Sequence, residues 1–300
     1  MSLRPRLRAW AELLRVSALF TVPGDALAGA AAAGVRANRG TAYAVGASLC
    51  LYEAGMALND WADRDEDAVD RPHRPIPSGR ITPGAALAAA AGLTAAGLAL
   101  ASRAGRPSLA VGTALAAAVW SYDLHLKHTP AGPLAMGAAR SLDLLLGATA
   151  TSSRGACPPA AGARKALGAA GVLGAHTVAV TVVSRQEAQG GSTAAPLAAL
   201  GVTAGLGVLT GWRLRAERSA AALLTGGLAA VYAKTAGKPL AHAALNPSPP
   251  LTQRAVGGGI RAMIPLQAAL AARGGAAGTA LGVLGLVPLA RAFARKVSPT

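Results

Sequence analysis

The sequence predicts an all-α, polytopic membrane protein: a transmembrane bundle of nine to ten helices in which residues 1–300 form a single domain. Three observations support this fold class. Of the 300 residues, 52% are hydrophobic and only 14% are charged, whereas about a quarter are charged in an average soluble protein. Long Ala-, Gly-, Leu- and Val-rich stretches recur, each close to the roughly 20 residues that cross a bilayer as a helix. One of them, 85–101, lacks the polar stripe of a helix in a soluble bundle.

The apolar stretches are separated by short polar breaks that are rich in proline and glycine. We predict helices because a helix satisfies its own backbone hydrogen bonds in lipid. The predicted spans are 9–34, 40–60, 84–102, 107–124, 132–150, 164–184, 193–212, 219–236, 252–271 and 276–293. Glu12 and Arg15 interrupt the first apolar run, which favours a span over a signal peptide. The ninth contains Arg254, Arg261 and Pro265, so it is either a span or partly interfacial.

The basic residues fit a protein of the lipid bilayer and argue against nucleic acid as a partner. The formal net charge is +16, but Lys and Arg lie in the breaks between spans, as expected at membrane borders. Aromatic residues make up 3% of the chain, too few to stack nucleic-acid bases. The loops after the second, fourth and sixth spans share the side of the N-terminus and carry slightly more Lys and Arg. This bias predicts a multi-pass protein of the cell membrane with these loops in the cytoplasm.

The loop after the second span, Asn59 to Gly79, is the most acidic segment of the chain. If the helix continues beyond the membrane, four aspartates share a stripe about 80° wide: Asp60, Asp63, Asp67 and Asp70. Like charges on one face favour a bound cation, and oxygen ligands beside a phosphate suit Mg²⁺. Arg71 and Arg74 follow in a proline-rich stretch and are suited to bind phosphate. The alternative is a solvated charged loop.

The order Asn-Asp-x-x-Asp-x-x-x-Asp from Asn59, followed by Arg-Pro-x-Arg-Pro-x-Pro-Ser-Gly from Arg71, resembles the first signature of the UbiA superfamily of intramembrane prenyltransferases. Arg15, ahead of the Pro23-Gly24 pair, is similar to the first helix of that family. The resemblance therefore extends over most of the chain and implies a bundle of transmembrane helices.

A second short signature of the family, a Tyr five residues before a Lys, resembles Tyr122 and Lys127. The resemblance implies that these two side chains hold the diphosphate end of a prenyl donor. The alternatives are an interfacial aromatic anchor for Tyr122 and a membrane-flanking charge for Lys127.

The segment after the sixth span departs from the family. Ser184-Arg185-Gln186-Glu187-Ala188-Gln189-Gly190-Gly191 stands where a second aspartate-rich stretch is expected, and it resembles the form in an EboC-like branch of the superfamily. Three explanations are open. Glu187 holds a second metal ion with help from Gln186, Arg185 replaces that ion as a fixed positive charge, or the donor is not a conventional allylic diphosphate.

Among the ionisable residues inside predicted spans, four need an explanation: Asp25, Arg140, Asp143 and His176. A charge within the membrane costs about 2.5–3.5 kcal/mol on insertion scales, so each one needs a partner or a function. Arg140 is three residues before Asp143 and either pairs with it or faces the diphosphate pocket. Asp25 is a candidate to orient or deprotonate an acceptor hydroxyl. His176 shares a helix face with Glu187 but lies roughly 16 Å deeper, which indicates a packing role.

The resemblance implies Mg²⁺-dependent transfer of a prenyl group from a prenyl diphosphate to a small-molecule acceptor, either aromatic or hydroxyl-bearing. The residues implied for catalysis are Asp60, Asp63, Lys127 and Glu187, and those for the metal are Asp60, Asp63, Asp67 and Glu187. The residues implied for substrate binding are Asn59, Arg71, Arg74, Tyr122, Arg140, Arg185 and Asp25. One alternative is a transferase of this fold with another phosphorylated donor, and a second is a non-catalytic lipid-binding or export component. The oligomeric state stays open.

Overall fold

The computed structural model describes residues 3–187, 190–212 and 219–288, which form helices and turns with no strand among them. The elements are α1 (Leu3–Leu13), a 3₁₀ helix (Val16–Thr21), α2 (Pro23–Ala32), α3 (Arg39–Ala62), α4 (Arg64–Asp70), α5 (Pro83–Ala104), α6 (Arg106–Ser121), a π-helical turn (Tyr122–Leu126), α7 (Gly132–Ser153), α8 (Pro159–Ser184), α9 (Ala194–Gly211), α10 (Ala220–Leu245), α11 (Pro249–Arg273) and α12 (Ala277–Leu284). The predicted all-α class is confirmed.

Within the described part of the chain, five helices are long and apolar enough to cross a bilayer: Pro83–Ala104, Arg106–Leu126, Pro159–Ser184, Ala194–Gly211 and Pro249–Arg273. Helices α3 and α7 are equally long, but they carry charged residues that are buried inside the bundle, namely Glu53, Asp60 and Asp143. The chain is therefore a multi-pass membrane protein. The predicted spans from the second to the ninth each correspond to one of the helices α3 and α5–α11.

The first predicted span, 9–34, is wrong as a continuous helix. The chain breaks at Arg15, whose backbone is left-handed with φ 47° and ψ 46°, and continues as the 3₁₀ helix and then α2. Helix α1 does not enter the bundle with α2. Its Ala9 and Leu13 belong to an apolar cluster that also includes Leu58 and Ile81, so α1 packs beside the end of α3 and the start of α5.

The ninth predicted span, which contains Arg254, Arg261 and Pro265, forms one continuous helix. Helix α11 is mostly buried in the bundle, with Pro265 inside the helix and Arg254 and Arg261 on its exposed side. The tenth predicted span, 276–293, begins as α12, and its part beyond residue 288 lies outside the described residues.

Glycines bring α7 into close contact with α2 and α8. A methyl group at Gly29 would lie 2.0 Å from the Leu144 carbonyl oxygen, and one at Gly147 would lie 2.3 Å from that of Ala26. Gly137 and Gly174 make the equivalent approach between α7 and α8. A methyl group added at either glycine would lie 2.9 Å from the carbonyl oxygen of the other. Small residues at such crossings are typical of membrane helices. The result is a fixed position for the charged residues of α7.

Successive long helices run in opposite directions, so the ends of α3, α6 and α8 lie at the same end of the bundle. We call this end the loop face; it comprises α1 and the segments 63–82, 122–131, 185–187 and 190–193. Contacts between the segments define it, because Lys127 pairs with Asp63 and the Arg185 side chain donates a hydrogen bond to the Thr129 carbonyl at 2.9 Å.

Candidate functional site

The acidic loop begins where α3 ends, and its helix does not continue straight out of the membrane. Asp63 is the C-cap of α3 and the N-cap of α4, which interrupts the predicted stripe of four aspartates. Asp60 and Asp67 are 4% and 2% exposed, and the Asp63 side chain is 11% exposed. Asp70 is exposed to solvent. The prediction is therefore wrong for Asp70, while the other three carboxylates turn inward.

Arginine side chains neutralise the two buried carboxylates. The Arg74 Nη1 atom lies 3.3 Å from Asp60 Oδ1 and 2.6 Å from Asp67 Oδ2. Each carboxylate has a second partner: Arg15 Nη2 lies 3.2 Å from Asp60 Oδ1, and Arg71 Nη1 lies 3.4 Å from Asp67 Oδ1. Two aspartates thus converge on one nitrogen atom, and the loop forms a compact site for positive charge.

The loop is held in place by its own backbone and by α1. The Ser78 amide donates to the Arg74 carbonyl at 3.0 Å. The Arg80 guanidinium pairs with the Glu12 carboxylate of α1 at 2.6 and 3.0 Å. Because α1 is tied to the loop in this way, it brings Arg15 against Asp60.

Arg15 is a site residue that the sequence analysis did not select, although it formed part of the family resemblance. Among the described residues it is the one non-glycine with a positive φ, a conformation that costs about 1–2 kcal/mol. The ion pair with Asp60 gives a reason for this backbone to persist, because such outliers survive only where the surroundings fix them.

A π-helical turn at the end of α6 places the second signature. The Lys127 amide donates to the Tyr122 carbonyl at 2.9 Å, so the five-residue spacing between them is one wide helical turn. Lys127 pairs with Asp63, and the Asn59 side chain donates to Asp123 Oδ1 at 3.1 Å. Such turns are frequent at functional sites. Asp123 was not predicted, although an acidic residue between the tyrosine and the lysine was a visible signal.

The segment after α8 joins the same face. Arg185 reaches Thr129, and Tyr122 lies within electrostatic range of Asp63 and Arg185. Glu187 is half-buried; burial raises the pKa of its carboxyl above the ordinary value, and the nearby Arg71 lowers it. Residues 188 and 189 of this segment lie outside the described residues. The structure therefore brings the predicted residues of all three loops together.

A second charged cluster lies deeper, between α2, α3, α7 and α11. The Arg140 Nε atom is 3.1 Å from Asp25 Oδ2, an ion-pair contact that lacks the alignment of a hydrogen bond. The Gln267 amide donates to Asp25 Oδ1 at 2.7 Å. Asp143 instead accepts a hydrogen bond from the Ser48 hydroxyl at 2.6 Å. Arg140 thus pairs with Asp25 rather than with Asp143, and the Asp25 carboxylate is already engaged.

His176 is a packing residue, as predicted. Its Nδ1 atom lies 3.0 Å from the Tyr232 hydroxyl, and its Nε2 atom lies 3.1 Å from the Gly259 carbonyl oxygen. Both ring nitrogens therefore have partners within the bundle.

The carboxylates of the loop face have the chemistry to hold a divalent cation. Asp60 and Asp67 already share one cationic nitrogen, and one ligand atom each from Asp63, Glu66 and His128 lie within 4.8 Å of one another. Oxygen ligands of this kind fit Mg²⁺. The arginines and Lys127 beside them are suited to bind phosphate oxygens.

Comparison with known proteins places this geometry in a family. The UbiA prenyltransferase family matches residues 17–192. The digeranylgeranylglyceryl phosphate synthase of Methanopyrus kandleri is 36% identical over 129 residues, which cover 41% of this chain and 46% of that protein. The match spans less than half the length of that curated relative.

Two solved structures share the fold. A UbiA homolog from Aeropyrum pernix K1, in its apo form, has a TM-score of 0.67 at 18% identity, covering 84% of this chain and 96% of its own. A UbiA homolog from Archaeoglobus fulgidus bound to GPP and Mg²⁺ has a TM-score of 0.63 at 15% identity, with coverages of 93% and 99%. At these identities the likeness establishes the architecture of the bundle.

Proposed function

This chain belongs to the UbiA prenyltransferase family, and from that premise we propose that it transfers a prenyl group from a prenyl diphosphate to a small-molecule acceptor with the help of Mg²⁺. One observation carries the proposal: buried Asp60 and Asp67 converge on Arg74, beside the Asp63–Lys127 pair. Carboxylates suited to a metal ion and cations suited to phosphate therefore lie at one end of a membrane bundle. The Archaeoglobus fulgidus homolog bound to GPP and Mg²⁺ supports this choice of donor and metal.

We assign the metal to Asp60, Asp63 and Asp67, with Glu187 as a further ligand. When bound, Mg²⁺ neutralises negative charge that develops on the leaving diphosphate. Asn59, whose side chain donates to Asp123 beside this set, is assigned to substrate binding.

The basic residues of the loop face bind the diphosphate oxygens. Arg71, Arg74, Arg185 and Lys127 supply charge and hydrogen-bond donors, and the Tyr122 hydroxyl supplies one more donor. The Arg185 side chain is anchored on the loop face by its hydrogen bond to the Thr129 carbonyl, and we assign it the role of a fixed positive charge in place of a second metal ion.

The bundle below the loop face takes the prenyl chain and the acceptor. An apolar interior would shield an allylic cation from water, and Arg140 and Asp25, which pair within the bundle, are assigned to substrate binding. We place the loop face in the cytoplasm, because its loops carry slightly more Lys and Arg than the opposite loops. Residues 1–300 act as one domain.

The test is transfer of radiolabelled geranyl or geranylgeranyl groups from their diphosphates by membranes that contain the protein. We expect product only with Mg²⁺, and a loss of at least about 10²-fold in Asp63→Asn, the loss typical when one electrostatic stabiliser is removed. Asp65→Asn is the matched control, because the Asp65 side chain is 87% exposed and pairs only with Arg64 among the described residues.

The outcomes separate the alternatives. Activity that ignores both EDTA and Asp63→Asn would remove the metal assignment. Turnover with another phosphorylated donor, such as a sugar diphosphate, but with no prenyl diphosphate would replace the donor. Lipid binding without turnover of any donor would identify a non-catalytic lipid-binding or export component.

A further inference from the structure

Glu53 is a buried carboxyl that no described residue neutralises. It lies within α3, its residue exposure is 8%, and both of its carboxyl oxygens are enclosed without a hydrogen-bond partner. The other deep carboxyls differ: Asp25 has Arg140 and Gln267, and Asp143 has Ser48. Glu53 was not selected from the sequence, although the rule for charges within spans applies to it.

An unpartnered carboxyl in this place has no structural value. Burial of a polar group without a hydrogen bond is unfavourable, and burial of an unpaired charge is far more so. A leucine or methionine would fill the same space at the α3 surface without that penalty. The position therefore points to a ligand that supplies the missing partner.

The helix geometry places this ligand near the metal-binding loop. Glu53 precedes Asp60 by seven residues, so the two side chains lie within about 20° on the same face of α3 and about 10 Å apart along its axis. Asp60 faces Arg15 and Arg74 at the loop face. If the diphosphate of a donor sits beside Asp60, Glu53 lies deeper in the bundle, on the side toward which the prenyl chain extends from the diphosphate.

We propose that the Glu53 carboxylate binds the hydroxyl group of the acceptor and takes up its proton during transfer. This inference rests on the proposed function, and it assigns the acceptor to the class of hydroxyl-bearing molecules. The bond between the first prenyl carbon and the diphosphate oxygen breaks, and its electron pair leaves with the diphosphate. The acceptor oxygen forms the new bond to that carbon with a lone pair, and its proton passes to a Glu53 oxygen.

The experiment measures donor and acceptor steps separately in Glu53→Gln, which keeps the shape and removes the base. The donor is radiolabelled geranylgeranyl diphosphate with Mg²⁺, and the acceptor probe is geranylgeranylglyceryl phosphate, with a lipid extract of the host membranes as a second source of hydroxyl acceptors. We expect transfer to fall by about 10²-fold or more, the usual value of a general base. The dissociation constant of the donor and its slow release of diphosphate without acceptor should change less than about twofold, because the loop face is intact.

Glu53→Leu separates chemistry from folding. We expect it to unfold at the same temperature as the wild type or higher, because a buried polar group is removed, and to lose transfer to the same extent as Glu53→Gln. Transfer by either variant within about threefold of the wild type would overturn the inference. An equal loss of donor binding and transfer would also overturn it, since Glu53 would then belong to the donor site. A wild type that transfers to no acceptor would instead refute the proposed function.

Discussion

Replacement of Arg74 by glutamine tests whether the acidic loop is organised around one positive charge. The Arg74 Nη1 atom serves both Asp60 and Asp67, and the three side chains are 19%, 6% and 3% exposed. Loss of one partner of a buried ion pair costs about 3–5 kcal/mol. Because Asp60 keeps Arg15 and Asp67 keeps Arg71, we take the lower end, about 3 kcal/mol.

The assay is thermal unfolding of the detergent-solubilised protein, followed by tryptophan fluorescence. At about 2 °C per kcal/mol for a chain of this size, Arg74→Gln should lower the midpoint by roughly 6 °C. Arg64→Gln is the control, because the Arg64 pair with Asp65 is exposed and such pairs contribute about 0–1 kcal/mol. Trp61 lies beside Arg64 in a cation–π contact, so the control spectra need their own baseline.

Magnesium gives the second readout of the same variant. If Asp60 and Asp67 hold Mg²⁺ as proposed, the ion competes with Arg74 for these two carboxylates in the wild type, whereas in Arg74→Gln it does not. A ligand at about 100 times its dissociation constant stabilises the native state by about 2.7 kcal/mol, so Mg²⁺ should restore most of the lost stability in the variant and raise the wild-type midpoint less. An Arg74→Gln midpoint equal to that of the wild type, with the same response to Mg²⁺, would refute this account of the loop.

Two further predictions concern the bundle away from the loop face. Gly147→Leu should lower the free energy of unfolding by about 3 kcal/mol or more, and with it the unfolding midpoint, because its Cβ atom would meet the Ala26 backbone. Gly171→Leu is the control, because a Cβ atom there meets nothing within 4 Å, and equal midpoints for the two variants would contradict the packing. Asn38→Ala should cost about 1–2 kcal/mol without loss of transfer per folded molecule, because Asn38 caps α3 and its side chain bonds Thr151; an unchanged midpoint in the melting assay would show that the cap is dispensable.

The long spans could be predicted from the sequence because lipid imposes both their length and their composition. The break in the first span could not. Apolar residues continue through the 3₁₀ helix, and the left-handed backbone of Arg15 is explained by an ion pair with Asp60, 45 residues away. Amino-acid composition shows that a segment can cross a membrane as a helix. Where that helix ends depends here on an ion pair with a residue far away in the sequence.

The candidate site shows the same division between local and distant effects. The spacing of Tyr122 and Lys127 was visible in the sequence, although only the structure shows that one π-helical turn spans it. The sequence allowed Arg140 to pair with Asp143 on the same helix, but in the structure Arg140 pairs with Asp25 of α2. This pairing is possible because the backbones of α2 and α7 are in contact near Gly29. Sequence spacing identifies residues that are neighbours on one helix. It does not identify contacts with a second helix that is distant in the sequence.

The charges of the loop face explain why donor and metal are expected to bind together. The site contains three inward carboxylates and four basic side chains: Asp60, Asp63, Asp67, Arg15, Arg71, Arg74 and Lys127. A divalent ion alone would leave this set strongly positive, and a diphosphate alone would leave it negative, whereas the two together bring it close to neutrality. In a partly buried site opposite charges must balance. The carboxylates would therefore exchange their arginine partners for the metal ion, and the arginines would bind the phosphate oxygens instead. The ion pairs of the ligand-free protein therefore hold both halves of the site in position for this exchange.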